Sequence, residues 1–173
     1  MKKQQTSELD FIIDKLTNSI ENVQSGDNFP TDISLLMTAE LKTVTKKNGW
    51  RFNWKNEIKI PGRDIFKLTI ANNPNIIQGI ISVEVKPDHV YMPLIESAPF
   101  NIGKHKTYFG VPGNLVAYAC KLSFQRGGEG YVSFTAKTKL IDHYIESLGA
   151  VHFGGHLMVI TTPTALKLIN KYF

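Results

Sequence analysis

The sequence has little of what several classes of protein depend on. Its 173 residues include a single cysteine, Cys120, which excludes an intrachain disulfide and a zinc site built from several cysteines. No apolar run approaches the roughly 20 residues of a membrane-spanning helix, so we expect no membrane partner. The opening MKKQQTSELD carries lysines without an apolar stretch behind them, unlike a secretory signal. These absences predict a cytoplasmic protein.

Composition and charge are those of a globular domain with a modest positive excess. With 42% hydrophobic residues the chain can bury one core, and we expect a single domain over residues 1–173. The net charge of +5 suits an anionic ligand. The lysines are scattered, and their only tight groups are Lys46 with Lys47 and Lys104 with Lys106, which favours a solvated surface over a nucleic-acid stripe. The oligomeric state is left open.

Hydrophobic periodicity predicts helices and then strands in the first half of the chain. Apolar residues at spacings of three and four predict a helix over residues 7–23, and a second short helix is expected over residues 32–42. Alternating segments rich in aromatic and β-branched residues then predict strands over residues 50–54, 65–71, 76–85 and 89–98. Because short turns join these strands, they should form an antiparallel meander.

The second half alternates between helices and strands. Helices are predicted over residues 114–125 and 138–148, and strands over residues 130–136 and 151–160. A last helix should begin with Thr162 as its N-cap and Pro163 in its first turn. The whole pattern predicts an α/β domain with a mixed, largely antiparallel sheet.

Pro93 interrupts the predicted strand over residues 89–98. Proline cannot donate a hydrogen bond to a neighbouring strand, so it belongs at a sheet edge or at a bulge. An edge strand is one reading. A bulge that splays this strand from its neighbour and opens a slot in the sheet is the other.

The stretch YFGVPGNL, residues 108–115, places two glycines directly ahead of a helix. A helix N-terminus presents unpaired N–H groups and a positive dipole end, which suit a phosphate group. Gly110 and Gly113 would let the backbone approach a ligand without a Cβ atom in the way. Taken alone, the pattern is also that of a turn leading into a core helix.

The order of these features resembles the Gcn5-related N-acetyltransferase family. A strand with a mid-strand break, a glycine loop, a helix, a strand and a helix ending in HYIESLGA follow one another within residues 76–160. The resemblance implies the acyl-CoA N-acyltransferase fold, in which a mixed, largely antiparallel sheet with a splayed central strand pair is flanked by helices. It also implies a variable N-terminal half over residues 1–75, a cofactor-binding half over residues 76–160 and a C-terminal helix over residues 161–173.

The resemblance assigns roles to particular residues. In that family the glycine loop holds the pyrophosphate of acetyl-CoA, and a helical tyrosine, here Tyr144, gives a proton to the departing thiolate. Glu96 is a candidate base for the amine proton, with a merely solvated rim glutamate as the alternative. The residues assigned to the cofactor are Lys106, Tyr108, Phe109, Gly110, Val111, Gly113, Asn114 and Leu115. The gaps between the matching positions of the loop are each one residue longer than is usual in the family.

Three functions follow from these observations. The resemblance implies an N-acetyltransferase that moves an acetyl group from acetyl-CoA to a small-molecule or peptide amine. The longer gaps, with Pro112 inside the loop, support a non-catalytic module of the same fold that keeps a CoA or anion slot. A third reading is a small basic nucleic-acid-binding domain with Trp50, Phe52 and Trp54 as stacking residues. Those three aromatics share one strand parity, which favours their burial instead.

His152 and His156 are the remaining candidates for metal ligands. On a strand they share one face but lie about 13 Å apart at about 3.3 Å per residue, and no carboxylate stands near them in sequence. We therefore expect no metal site. Cys120 lies within the predicted helix over residues 114–125, and we expect it to be a small buried apolar residue and not a nucleophile.

Overall fold

The computed structural model describes residues 8–16 and 19–173 of the chain. The strands, in chain order, are β1 (Ile20–Asn22), β2 (Asn28–Phe29), β3 (Thr31–Leu35), β4 (Arg63–Ile70), β5 (Gly79–Val85), β6 (Val90–Ser97), β7 (Tyr108–Phe109), β8 (Val132–Thr135), β9 (Val151–His152) and β10 (Leu157–Ile160). The helices are α1 (Trp54–Glu57), α2 (Val111–Gln125), α3 (Ile141–Leu148) and α4 (Thr162–Tyr172). Turns of 3-10 helix lie at Thr38–Lys42, Lys46–Asn48, Pro99–Asn101 and Thr138–Leu140.

The main sheet has the strand order β3-β4-β5-β6-β8-β10-β9. Its neighbouring strands are antiparallel, except that β6 and β8 run parallel. A small second sheet has the order β2-β1-β7 and lies at the entry to α2. The prediction of a mixed, largely antiparallel sheet flanked by helices is confirmed.

The break at Pro93 is a bulge in the middle of the sheet and not an edge. Ser82 of β5 pairs with Leu94 of β6, and Glu84 pairs with Tyr91, so two residues of β6 stand opposite one residue of β5. An extra residue of this kind bends the strand and reverses which side chains face each side of the sheet. Pairing between β6 and β8 stops at Tyr91–Ser133, although β6 continues to Ser97. The central strand pair is therefore splayed.

Each face of the sheet carries its own buried cluster. Ile81 of β5 points into the larger cluster, which packs against α2, α3 and α4. Its neighbour Ile80 points into the other cluster, which Trp50 and Trp54 cover from the far side. Because successive residues of a strand face opposite sides, the apolar run of β5 is buried on both faces.

The predicted helix over residues 7–23 is wrong. Residues 8–16 form no helix, and Leu9 instead makes a parallel bridge to Ala136, while Ile20–Asn22 is β1. The spacing of the apolar residues wrongly predicted a helix, because tertiary contacts decide the conformation of this segment. Residues 7, 17 and 18 lie outside the described part of the chain.

Three other predicted elements need correction. Residues 50–54 form no strand, because the Asn53 side chain accepts a hydrogen bond from the Asn56 N–H and so begins α1. The expected helix over residues 32–42 is strand β3 followed by a 3-10 turn. The expected strand over residues 151–160 is a hairpin of β9 and β10, since Gly154 and Gly155 take left-handed backbone angles between them.

The remaining elements lie close to their predicted positions. Helix α2 begins three residues before the predicted range of 114–125, at Val111. A 3-10 turn leads into α3. The helix ends at Leu148, and the following Gly149 takes a left-handed conformation that terminates it. The last helix has its proline in the first turn as expected, but its N-cap is Thr161 and not Thr162.

Candidate functional site

Beyond the last β6–β8 pair the two strands diverge around a cavity of about 400 Å³. One wall is the end of β6, with Ile95, Glu96 and Ser97. The opposite wall is formed by the chain's own residues 8–16, which we call the slot segment, and by Lys137, which follows β8. This cavity lies where the sequence predicts a slot in the sheet.

The slot segment takes the place beside β8 that β6 has left. The Val90 N–H of β6 donates to the Tyr131 carbonyl, so odd-numbered residues of β8 direct their backbone groups toward β6. On that same edge the Leu9 N–H donates to the Thr135 carbonyl at 2.6 Å, and the Lys137 N–H donates to the Leu9 carbonyl at 3.2 Å. Leu9 is fully buried there.

Tyr144 on α3 meets the slot segment with its hydroxyl group. That oxygen accepts a hydrogen bond from the Phe11 N–H at 3.0 Å and donates to the Phe11 carbonyl at 2.9 Å. The Phe11 and Tyr144 rings pack with centroids 4.8 Å apart, and the Phe134 ring of β8 packs edge-to-face against Tyr144. Burial raises the pKa of the Tyr144 hydroxyl, so it is protonated at neutral pH. The side chain combines a core ring with a hydroxyl aimed at whatever occupies the slot.

The start of α2 holds an anionic group. Gly110 is the N-cap, with φ of +96°, and its N–H donates to one oxygen of the Asp14 carboxylate at 2.9 Å. The other oxygen of that carboxylate accepts from Lys106 Nζ, also at 2.9 Å. A helix N-terminus and a lysine thus converge on the carboxylate of the slot segment, as expected of an anion site.

Gly113 is required for close packing one turn into α2. A Cβ atom at this position would overlap the Tyr172 hydroxyl and would lie 2.9 Å from the Lys15 carbonyl. The Tyr172 hydroxyl donates to that same carbonyl at 2.8 Å and fastens the end of the slot segment to α4. The space that a side chain at position 113 would fill is therefore occupied by the Tyr172 hydroxyl and the Lys15 carbonyl.

Asp10 anchors the outer side of the slot segment. Its carboxylate accepts a hydrogen bond from Lys137 Nζ at 2.7 Å. This hydrogen bond, together with the charges of Lys137, Lys139 and Arg51, holds the pKa of Asp10 below its ordinary value despite partial burial. The contact connects the segment to the second residue after β8.

Glu96 is buried and is not a solvated rim residue. Only 4% of the residue is exposed, and its carboxylate accepts hydrogen bonds from the Trp54 indole N–H at 2.8 Å and from the N–H groups of Arg51 at 2.7 Å and Phe52 at 3.3 Å. On an unbroken strand, Glu96 would lie on the same face as Val90, because alternate residues share a face. The bulge reverses this parity, so Glu96 turns toward the Trp54 side of the sheet.

The other residues assigned to the cofactor loop lie deeper in the fold. The side chains of Val111 and Leu115 are fully buried in the core. Asn114 is buried as well, and its side chain donates to the Gly110 carbonyl at 2.8 Å. Tyr108 and Phe109 form β7, which pairs with β1. Of the predicted site residues, the structure brings Lys106, Gly110, Gly113 and Tyr144 around the slot segment and Glu96 to the facing wall.

Sequence reasoning missed Phe11, Asp14, His143 and Tyr172, which also build this site. The Ile13 N–H donates to His143 Nε2 at 3.0 Å, next to Tyr144 on the same helix. A partial signal was present in the sequence LDFIID, because Leu9, Phe11 and Ile13 place an apolar residue at every second position, as in a half-buried extended segment, although Ile12 interrupts the alternation with polar residues.

The other chemical candidates have structural roles. His152 and His156 contact backbone carbonyls, and within residues 8–16 and 19–173 no group of three or more histidine, cysteine, aspartate or glutamate side chains is placed to hold a metal ion. Cys120 is fully buried, and burial raises the pKa of its thiol to about 12. Trp50 and Trp54 are buried in the core, so they form no exposed surface for stacking bases. None of the helices in the described part of the chain is both long and apolar enough to cross a membrane.

Comparison with known proteins places this architecture among acetyltransferases. No protein-family model and no curated protein sequence matches the chain. Among solved structures, spermidine N-acetyltransferase from Vibrio cholerae in complex with CoA and spermine is similar over 79% of this chain and 98% of its own, with a TM-score of 0.51 at 16% identity. A proposed acetyltransferase from T. thermophilus is similar over 81% of this chain and 90% of its own, with a TM-score of 0.53 at 16% identity.

The chain has the fold of the Gcn5-related N-acetyltransferases. In this chain the end of β6, where it diverges from β8, and the start of α2 line the same cavity. At 16% identity the similarity concerns the fold, and the activity must be argued from the site itself.

Proposed function

We propose that the protein is an acyltransferase that transfers an acetyl group from acetyl-CoA to an amine acceptor. The observation that carries this proposal is the convergence of three groups on one slot. The Gly110 N–H and Lys106 Nζ lie at the end of the slot that binds an anion, and the Tyr144 hydroxyl lies at its middle. The named activities of the two structural neighbours point the same way.

The donor set at the start of α2 fits a phosphate. The Asp14 carboxylate already sits on Gly110 and Lys106, which demonstrates that an anion is accommodated there. A phosphate group would offer the same kind of acceptor oxygens to the same N–H and ammonium donors. We assign the pyrophosphate of acetyl-CoA to Lys106, Gly110 and the first turn of α2.

Two residues of the chain could move protons in the reaction. Acetyl-CoA supplies an acetyl group activated as a thioester. Tyr144 carries a proton on its hydroxyl oxygen at neutral pH, which a general acid requires, although burial raises its pKa and so makes it a weaker acid. The Glu96 carboxylate borders the cavity and accepts three hydrogen bonds, which leaves capacity for one more donor such as an amine. Proton transfer of this kind typically contributes about 10²- to 10⁴-fold to the rate.

The acceptor is proposed to be an amine that enters through the same cavity. Glu96 lies in its lining, and a carboxylate suits an ammonium group. The structural neighbour from Vibrio cholerae was solved with the polyamine spermine. Spermine is therefore the first acceptor to test.

A non-catalytic module of the same fold is the second candidate function. It is favoured by the finding that the slot segment already satisfies Gly110, Lys106 and Tyr144. Such a module would bind acetyl-CoA but release no thiol with any acceptor.

The test combines binding with turnover. Calorimetric titration with acetyl-CoA measures binding, and the release of free CoA thiol in the presence of spermine or other amines measures transfer. We expect Tyr144→Phe to lower turnover by well over tenfold without weakening acetyl-CoA binding, whereas Tyr131→Phe, on an exposed tyrosine outside the slot, changes neither. Binding without turnover in the wild type would favour the second candidate. Absence of binding to both the wild type and Asp14→Asn, which no longer holds a charge on Gly110 and Lys106, would eliminate both.

A further inference from the structure

We propose that the slot segment is a built-in competitor of acetyl-CoA, so that the cofactor binds only to molecules in which residues 8–16 have left the slot. This inference rests on the proposed function and adds to it a mode of regulation of the same site. It follows from the contacts of the segment and not from its sequence alone.

Competition follows first from the donors involved. The Gly110 N–H is a single donor, and the Asp14 carboxylate accepts its hydrogen bond. Lys106 Nζ is paired with the other oxygen of the same carboxylate. A phosphate at these donors must replace Asp14, because two anions at one helix start would repel each other as well as share one N–H group.

Competition follows secondly from the path of the backbone. Leu9 lies on the β8 edge that β6 has vacated, and Phe11 covers the Tyr144 hydroxyl. A ligand arm that passes between the splayed strands toward Tyr144 therefore meets the segment along its length. The segment and the ligand would therefore overlap in the middle of the slot as well as at its anion-binding end.

The segment is held by contacts that can be broken without unfolding the sheet. After Leu9, the backbone N–H groups of Phe11 and Ile13 bond to side chains, those of Tyr144 and His143, and not to a neighbouring strand. Leu9, Phe11 and Ile13 are buried, so the docked state is favoured. A shortage of backbone hydrogen bonds to neighbouring strands is a feature of a segment that opens separately from the rest of a fold.

The affinity for acetyl-CoA should then depend on the fraction of open molecules. When the binding-competent state is only partly populated, the apparent dissociation constant rises in inverse proportion to that fraction. Fixing the segment in the slot should abolish binding, and loosening it should strengthen binding.

A disulfide can fix the segment reversibly. Asp10 and Lys137 directly follow the bridged residues Leu9 and Ala136, and the Lys137 N–H donates to the Leu9 carbonyl, so their backbones lie side by side. Asp10→Cys with Lys137→Cys should therefore form a disulfide that holds the segment against the end of β8. The native Cys120 is fully buried and should not interfere. Acetyl-CoA is the probe because it has no free thiol that could reduce the bond. We expect its dissociation constant to be at least tenfold higher for the oxidised protein than for the same protein after reduction with a phosphine.

A single substitution can loosen the segment. Asp14→Asn removes the charge that Gly110 and Lys106 hold, and we expect it to lower the dissociation constant for acetyl-CoA by about fivefold or more. As a control, Asp27→Asn removes one negative charge from an exposed position outside the slot. The dissociation constant of this variant for acetyl-CoA should stay within about twofold of the wild-type value.

Hydrogen exchange supplies a readout that does not depend on affinity. On addition of acetyl-CoA to the wild type, the amides of Phe11 and Ile13 should exchange faster, because the ligand expels the segment that protects them. Ordinary ligand binding would slow exchange or leave it unchanged.

The outcomes separate this inference from the proposed function. Equal dissociation constants for the oxidised and reduced double variant, together with unaltered exchange at Phe11 and Ile13, would overturn the inference while leaving acetyl-CoA as the ligand. If neither the wild type nor Asp14→Asn binds acetyl-CoA, even though exchange in the variant shows the segment released, the proposed function fails and the competitor role fails with it.

Discussion

At the scale of single residues, the Glu96 carboxylate binds the loop before α1 to the end of β6. It accepts hydrogen bonds from the N–H groups of Arg51 and Phe52 and from the Trp54 indole. In Glu96→Gln one oxygen becomes an amide group, which donates and cannot accept, so at least one buried N–H loses its partner. We expect the free energy of unfolding to fall by about 1–3 kcal/mol, measured by urea denaturation.

Glu146→Gln is the matched control for this prediction. Glu146 is exposed on α3, and the same change there should alter stability by less than about 0.5 kcal/mol. Equal stabilities of Glu96→Gln and wild type would mean that the Glu96 carboxylate does not hold the loop.

Part of the proposed site was predicted from the sequence. Gly110 lies in a local pattern, a glycine before a helix, whereas Lys106 and Tyr144 were predicted from the resemblance to the Gcn5-related N-acetyltransferase family. Asp14 could not be found in this way, because its role depends on a contact with Gly110 across 96 positions of sequence. The parity of Glu96 was unpredictable for a related reason, since the bulge at Pro93 changes parity only if it forms.

At the scale of elements, α2 and α4 meet the slot segment where Gly113 lies under the Tyr172 ring. Gly113→Ala would improve the intrinsic helix propensity of α2 by up to about 1 kcal/mol. Its Cβ atom would, however, overlap the Tyr172 hydroxyl and must displace it from Lys15. We expect this overpacking to dominate and to cost about 1–2 kcal/mol of unfolding free energy in urea denaturation.

A double-variant cycle tests the mechanism of this cost. Tyr172→Phe alone should cost about 1 kcal/mol through loss of one hydrogen bond. Because it also removes the atom nearest to the new methyl group, the pair Gly113→Ala with Tyr172→Phe should cost less than the sum of the single changes. A more stable Gly113→Ala protein would contradict the close packing of α2 against α4.

Elements with a clear hydrophobic pattern were easier to predict than elements whose conformation depends on tertiary contacts. Strands β4, β5 and β6 and helices α2 and α3 lie close to their predicted positions because each buries a run of apolar residues in the core. The slot segment instead satisfies its backbone through side chains of α3, which no local pattern can reveal. The short strands β1, β2 and β7 pair over two or three residues and carry no periodicity to detect.

At the scale of the whole molecule, the slot segment joins parts of the fold that are far apart in sequence. Leu9 bonds to the end of β8, Phe11 to α3, Asp14 to the start of α2 and Lys15 to the end of α4. The segment therefore stabilises the closed arrangement of these elements. Its removal from the slot should loosen the domain as well as open the cavity.

Acid should weaken this closure through Asp10. Its pKa lies below the ordinary value of about 3.9 in the folded protein, first because Lys137 donates a hydrogen bond to it and then because Lys139 and Arg51 add positive charge nearby. Between the lowered pKa and the ordinary one, the unfolded chain binds more protons than the folded chain. The stabilisation is therefore complete above roughly pH 4–5 and is lost as the pH falls through the lowered pKa.

Urea denaturation of wild type and Asp10→Asn at several pH values measures this effect. At pH 7 the wild type should be more stable by at most about 1 kcal/mol, because the Asp10–Lys137 pair is partly solvated. The difference should shrink toward zero as the pH is lowered below about 4. In a Lys137→Gln background Asp10→Asn should have a smaller effect on stability, since the main cause of the lowered pKa is gone. A difference that stays constant from pH 7 to pH 3 would show that Asp10 stabilises the segment through packing and not through its charge.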